Sequence, residues 1–241
     1  MKILVTGANG QLGNELRNVL EKEIPGNTLY TDIAELDLTN AEAVMTYVKL
    51  NEVSHIVNCA AYTAVDKAEE QKLQCAAINI NAVQNLANAA DAVGAKIIHI
   101  STDYVFDGTA HRPYKESDKV NPISQYGTTK RKGETALLAL APDSIIIRTS
   151  WLYSPYGNNF VKTMLRLGME RSEIKVVCDQ IGTPTYALDL AKAIYKVLTS
   201  HQWVEGIYHF SNEGACSWFD FTKAIHRIAE ISNCEVYPIP T

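Results

Sequence analysis

An apolar run near the start of the chain ends abruptly in glycines. Ile3-Leu4-Val5-Thr6 leads into Gly7-Ala8-Asn9-Gly10-Gln11-Leu12-Gly13, and a helical pattern follows at once. Strand, glycine turn and helix in direct succession constrain the fold more than any other feature. Glycines permit the tight turn and let backbone N–H groups approach a pyrophosphate, and the helix N-terminus adds its partial positive charge. The spacing is G-x-x-G-x-x-G, not the G-x-G-x-x-G dinucleotide fingerprint, so the turn alone also suits a purely structural role. Asp32 closes the second apolar run. A carboxylate there accepts from a ribose 2′-OH and repels a 2′-phosphate, which tilts the reading toward NAD over NADP; the alternative is a capped turn aspartate.

Further along, short β-branched runs alternate with longer polar-periodic stretches. Strands are expected at 2–6, 28–30, 55–58, 96–100, 144–148, 175–177 and 206–210, with helices near 11–23, 40–50, 72–93, 123–140, 158–171, 185–200 and 217–231. The first five runs are nearly continuous in apolar residues, which suits strands buried on both faces of a parallel sheet. Strand–helix alternation then means right-handed βαβ units and an α/β, doubly wound sheet. Thr39 or Asn40 can cap the second helix, and Gly94 suits a left-handed helix end. Residues 103–125 carry Gly108, Pro113 and Pro122 among charges and read as a long functional loop. The division expected is a dinucleotide-binding domain over 1–150 and a smaller, interleaved lobe over 151–241.

Composition removes several classes. The 241 residues are 46% hydrophobic and carry a formal charge of −5, so no basic excess exists to track nucleic acid. No apolar stretch is long enough for a membrane span, and the N-terminal run is too short for a signal peptide. Cys59, Cys75, Cys178, Cys216 and Cys234 are odd in number and widely spaced, which argues for free thiols in the cytoplasm and against a metal site.

Chemistry concentrates in Tyr126-Gly127-Thr128-Thr129-Lys130. Residues four apart share a helix face, so the Lys130 ammonium can stand near the Tyr126 hydroxyl. A nearby cation favours phenolate and makes the phenol a general acid or base near neutral pH. Ser101-Thr102-Asp103 follows an apolar strand, where residues face the ligand crevice of a parallel sheet. A hydroxyl there can polarise a carbonyl, but spacing does not choose between Ser101 and Thr102. His99 and His209 lie inside apolar strands and read as satisfied core histidines.

These stretches, with Asn58-Cys59-Ala60-Ala61-Tyr62-Thr63-Ala64-Val65-Asp66, residues 101–108, Arg148-Thr149-Ser150-Trp151-Leu152-Tyr153 and Asn158-Asn159-Phe160, resemble in order the extended short-chain dehydrogenases/reductases that act on nucleotide sugars. The resemblance covers the whole chain. It implies a Rossmann-like doubly wound parallel sheet with a smaller C-terminal substrate-binding lobe, and hydride transfer from NADPH or NADH to the C4 ketone of dTDP-4-dehydro-β-L-rhamnose. It further implies Thr102, Tyr126 and Lys130 as the catalytic set, with Tyr126 and Lys130 also at the cofactor, where Lys130 would hydrogen-bond the nicotinamide ribose. Gly7, Gly10, Gln11, Leu12 and Gly13 would hold the pyrophosphate, with Asp32, Asp37 and Leu38 at the adenosine and Ala60, Ala61 and Tyr62 along the cofactor. Thr102, Asp103, Trp151 and Asn159 would line the dTDP-sugar pocket, with Lys162 and Arg166 toward its diphosphate.

A homodimer is suggested by the same likeness alone, and no metal-ligating cluster stands out in the sequence. The chain stops at Pro238-Ile239-Pro240-Thr241, where the family usually continues. Two rival readings lie within the superfamily. A dehydratase needs Thr-Asp-Glu at the strand end, but Tyr104 follows Asp103 here; an epimerase would recycle its own NAD. A non-catalytic NADP-binding regulatory subunit would not need an intact Thr102, Tyr126 and Lys130.

Overall fold

β1 (Ile3–Thr6) runs into the glycine turn and α1 (Gln11–Glu23), and β2 (Thr28–Thr31) returns parallel beside β1. The computed structural model describes all residues 1–241. After α2 (Ala41–Leu50), β3 (His55–Asn58) pairs on the other side of β1. β4 (Lys96–Thr102), β5 (Ile145–Thr149) and β10 (Gly206–His209) then extend the sheet, giving the order β10-β5-β4-β3-β1-β2, parallel throughout. The direction of winding reverses between β1 and β3. In an open parallel sheet, ligands bind outside the strand carboxyl ends at such a reversal.

Two cores flank the sheet. Ile3, Val5, Val57 and Ile98 point to one face, under Leu12, Leu16 and Leu20 of α1 and Leu190 and Ile194 of α8 (Ala187–Leu198). Leu4, Ile56, Ile97 and Ile146 point to the other, under α2, α5 (Ala82–Val93) and α6 (Gln125–Leu140). Alternate residues of each buried strand therefore serve opposite cores, and neither face tolerates the polar alternation of a half-exposed strand.

The remaining elements build a smaller lobe. α7 (Phe160–Glu170) and α9 (Trp218–Ile228) cover β7 (Glu173–Val177), which pairs parallel with β12 (Glu235–Ile239). Two short pairs, β6 (Leu152–Tyr153) with β9 (Thr185–Tyr186) and β8 (Ile181–Gly182) with β11 (Cys216–Ser217), tie the lobe to the sheet. Because α8 and β10 return to the large sheet, residues 151–241 serve both layers.

Several elements differ from expectation. The helix foreseen at 72–93 is broken into α4 (Lys72–Ala76), a π-helical turn at Ala77–Asn81 and α5. An unforeseen α3 (Val65–Glu70) precedes it. β12 was hidden by Pro238, which cannot donate to a ladder but is tolerated in a two-stranded edge. β2 is only half-buried because it lies at the sheet edge. Asn40 is the cap of α2, accepting from the Ala43 N–H, and Gly94 ends α5 at φ +67°. No helix is long and apolar enough to cross a membrane.

Candidate active site

The glycine turn is shaped by close approach. Gly7 sits at φ +64°, and a Cβ there would come within 2.7 Å of the Ala60 nitrogen; one at Gly13 would lie 2.5 Å from the Gly7 carbonyl oxygen. The turn thus packs against the chain leaving β3. Gly10 begins α1 with no side chain capping it and no acidic residue in the first turn. That leaves a positive helix end open to an anion. The cradle fits a dinucleotide diphosphate: close backbone, an uncapped helix, and no acidic residue in that helix's first turn. Leu12 buries its side chain in the core and offers the cradle only its backbone.

The flanking residues are each tied down. The Asn9 N–H donates to Asp32 Oδ2 at 3.0 Å and the Ile33 N–H to Oδ1 at 2.9 Å, so this carboxylate braces the turn from the end of β2. Asp37 accepts from the Thr39 hydroxyl and N–H, which holds its carboxyl below the ordinary range. The Leu38 carbonyl accepts from Asn85 Nδ2 at 2.9 Å. Ala60 and Ala61 follow β3, and Tyr62 is clamped by Asn79: its N–H donates to Oδ1 at 2.9 Å while Nδ2 donates to its carbonyl at 3.1 Å. Asn79 stands on the π-helical turn, a distortion that turns an otherwise core-facing polar side chain to these partners.

Tyr126, Lys130 and Glu134 form one buried stripe on α6, four residues apart each time. The helix comes close because of two glycines. A Cβ at Gly127 would lie 2.1 Å from the Tyr104 carbonyl oxygen, and one at Gly133 2.2 Å from that of Asn79. Ser124 caps α6, and Glu69 of α3 accepts from the Gln125 N–H at 2.7 Å.

β4 separates the two hydroxyls that spacing could not. Ser101 donates to Glu134 Oε1 at 2.6 Å and serves the packing of β4 on α6. Thr102 turns the other way, donating to Asp103 Oδ1 at 3.0 Å within reach of the Tyr126 phenol. The Tyr104 ring meets Tyr126 edge-on, with centroids 5.5 Å apart.

The ionisation of the pair departs from expectation. Burial pushes the Tyr126 phenol well above its ordinary value, with Thr102 pulling the other way. The Lys130 head is turned instead to the Ile100 carbonyl, 2.7 Å away, and to His99 Nε2, 3.3 Å away. Burial brings Lys130 itself down to about 8, against the pull of Glu134. Asp103 is pushed up to about 6, again chiefly by desolvation. Burial governs the phenol because the Lys130 head is turned to β4.

Toward the small lobe, Asn159 caps α7, and its Nδ2 donates to Gln11 Oε1 at 2.9 Å. Gln11 Nε2 in turn donates to the Leu152 carbonyl at 3.4 Å, so the glycine turn is fastened to the lobe. Trp151 adopts φ +49° and stacks on Trp218 at 3.4 Å between centroids, with Gly182 against its ring. Lys162 donates to the Gly157 carbonyl, and Arg166 pairs with Glu170 on the solvent face. Sequence reasoning missed Gln11 as a bridge between lobes, Asn79 as a clamp, and the Asn58 and Glu134 partners. For Asn58 and Asn79 the signal was a polar residue inside an apolar stretch; Gln11 and Glu134 carried none.

The comparisons agree with this architecture. The sequence profile of the family described as RmlD substrate binding domain matches residues 1–241. The dTDP-4-dehydrorhamnose reductase of Aggregatibacter actinomycetemcomitans is 45% identical over 228 residues, 93% of this chain and 78% of that protein. The crystal structure of a dTDP-4-dehydrorhamnose reductase from Clostridium acetobutylicum superposes with a TM-score of 0.96 at 48% identity, covering 100% of this chain and 84% of that one. Another from Bacillus anthracis, in complex with NADP, gives 0.95 at 46% identity, covering 100% and 85%. With a profile spanning its whole length and relatives this similar, the chain belongs to the dTDP-4-dehydrorhamnose reductase family.

Proposed function

We propose that this chain reduces the C4 ketone of dTDP-4-dehydro-β-L-rhamnose to dTDP-L-rhamnose, with Tyr126 donating the proton to the ketone oxygen. The observation that carries the reading is the buried Tyr126 phenol beside Thr102, on a helix four residues from Lys130, at the carboxyl end of a sheet whose first turn is an uncapped glycine cradle. A nicotinamide cofactor, NADPH or NADH, supplies the hydride when bound; the B. anthracis relative is in complex with NADP.

The chain's own residues have distinct tasks. Gly7, Gly10 and Gly13 bring backbone close to the diphosphate, and α1 offers its N-terminus. The reducing direction requires the phenol in its acid form, and burial keeps it there. Thr102 orients the ketone oxygen by hydrogen bonding, and Lys130 provides positive charge for the phenolate that forms. Asp103, Trp151 and Asn159 bound the sugar end, and Asn159 keeps the lobe in register through Gln11. Asp32 bears on the adenosine ribose; its two oxygens already receive backbone N–H groups. The reading carries with it a cytoplasmic setting, in keeping with five free thiols, and pairing of two copies, which light scattering of the purified protein tests.

The test is oxidation of reduced nicotinamide on addition of dTDP-4-dehydrorhamnose, in the wild type and in Tyr126→Phe. The variant should lose about 10²–10⁴-fold in kcat while cofactor affinity is retained. Equal rates in the two proteins remove Tyr126 as donor.

A further inference from the structure

His99 is wholly buried in β4 and has no place in the chemistry above, yet both its ring nitrogens are engaged. Its state can be deduced from its neighbours. The Ala60 N–H and the Thr6 hydroxyl both donate to Asn58 Oδ1, at 3.1 Å and 2.7 Å. A backbone N–H cannot accept, so the Asn58 amide is held one way round. Its Nδ2 therefore faces His99 Nδ1, at 3.0 Å, as a donor. A ring nitrogen that accepts carries no proton, and the neutral ring must then carry it on Nε2. That proton points at Lys130 Nζ, 3.3 Å away. An ammonium has three donors and no acceptor, so it conflicts with this N–H, whereas a free amine accepts from it.

We propose that His99 is a positioning residue for Lys130: fixed by Asn58 with its proton on Nε2, it favours the free amine against β4 and turns the ammonium outward to the Tyr126 phenol. The proposal rests on the reading in which Lys130 serves Tyr126. Proton uptake by Lys130 is then coupled to which way its head points, so the charge is delivered where phenolate forms and withdrawn when it is lost.

The surroundings agree. Groups that face Lys130 are His99 from β4, Cys59 beyond β3, Cys75 from α4 and Glu134 from its own helix. Of these only Glu134 is a formal anion, and its charge is engaged by Arg148 and Arg131. Desolvation, with the Lys130 charge adding to it, holds the His99 ring well below its ordinary value, so the ring stays neutral and does not compete for the proton.

Two measurements test this on the full chain. Nitrogen NMR of histidine-labelled wild type at about pH 7 should find His99 neutral and protonated on Nε2; a proton on Nδ1, or an imidazolium, overturns the proposal. Asn58→Asp accepts where the amide donated and moves the ring proton to Nδ1, leaving Nε2 to accept from the ammonium. The NMR titration midpoint of Lys130 Nζ should then rise by about 1 pH unit, a tenfold change in proton affinity, and the alkaline limb of kcat/KM should follow. The new carboxylate also acts at a distance, so Asn58→Asp with His99→Phe separates the contributions: most of the rise should vanish. A full rise without the ring, or none with it, refutes the role of His99. The wild-type measurement stands even if the variants fail to fold. A Tyr126→Phe variant as active as wild type would remove Tyr126 as donor, and with it the service of Lys130 to the phenol, while leaving the tautomer unchanged.

Discussion

Glu134 of α6 ties that helix to β4 and β5. It is fully buried and accepts from Ser101 Oγ at 2.6 Å, from Arg148 Nε and Nη2 at 2.9 and 2.8 Å, and from Arg131 Nη1 at 3.0 Å. Arg148 is only 3% exposed and lies over the Phe106 ring at 5.2 Å. Glu134→Ala leaves that guanidinium buried without a counter-ion and Ser101 without its acceptor. Removing one member of a buried pair costs about 3–5 kcal/mol. With a urea slope of about 3 kcal/mol per molar, the unfolding midpoint should fall by about 1–2 M, followed through the fluorescence of Trp151, Trp203 and Trp218. Replacing both partners, Glu134→Leu with Arg148→Met, should recover most of the loss, because no unpaired charge remains.

The effect also has a sign in pH. Burial alone would raise the Glu134 carboxyl, but the Arg148 hydrogen bonds and charge hold it below its ordinary value. A folded-state value below the unfolded one contributes stability above the unfolded value, lost as pH falls through the folded one. The gap between wild type and Glu134→Ala should be full at neutral pH and shrink below about pH 4. A loss under about 1 kcal/mol at neutral pH, the size seen for exposed pairs, would mean that this cluster is not sealed from water, and the reasoning would fail.

Gly7→Ala should weaken NADPH binding in a fluorescence titration and cost about 1–3 kcal/mol in stability, because the residue is at φ +64° and its Cβ would press on Ala60; unchanged binding would detach the turn from the cofactor. Asp103→Asn keeps the acceptor for Thr102 but removes a charge that burial disfavours. A folded value raised to about 6 makes ionised Asp103 a cost that grows as pH rises through 6. The variant should gain on the order of 1 kcal/mol over wild type in thermal melts at about pH 8 and nothing at about pH 4. An equal effect at both values would show that the carboxyl is not desolvated.

Short-range patterns in the sequence determined the frame of this protein. Apolar runs such as Ile3–Val5 and Ile97–Ile98 had to be buried on both faces, so a parallel sheet with helices on each side follows from them alone. The glycine turn, the Asn40 cap and the Gly94 ending were legible because backbone preference is local. Tyr126 and Lys130 were legible as neighbours because helix periodicity is also local. Their ionisation was not. Whether a cation or burial governs the Tyr126 phenol depends on where Lys130 points, and that is decided by the Ile100 carbonyl and by His99, thirty-odd residues earlier in the chain. The choice between Ser101 and Thr102, the break at Ala77–Asn81 and the pairing of β12 with β7 likewise depend on partners distant in sequence. Such contacts exist only after the chain has closed on itself, because protonation and hydrogen bonding answer to solvent exclusion, which no local stretch possesses.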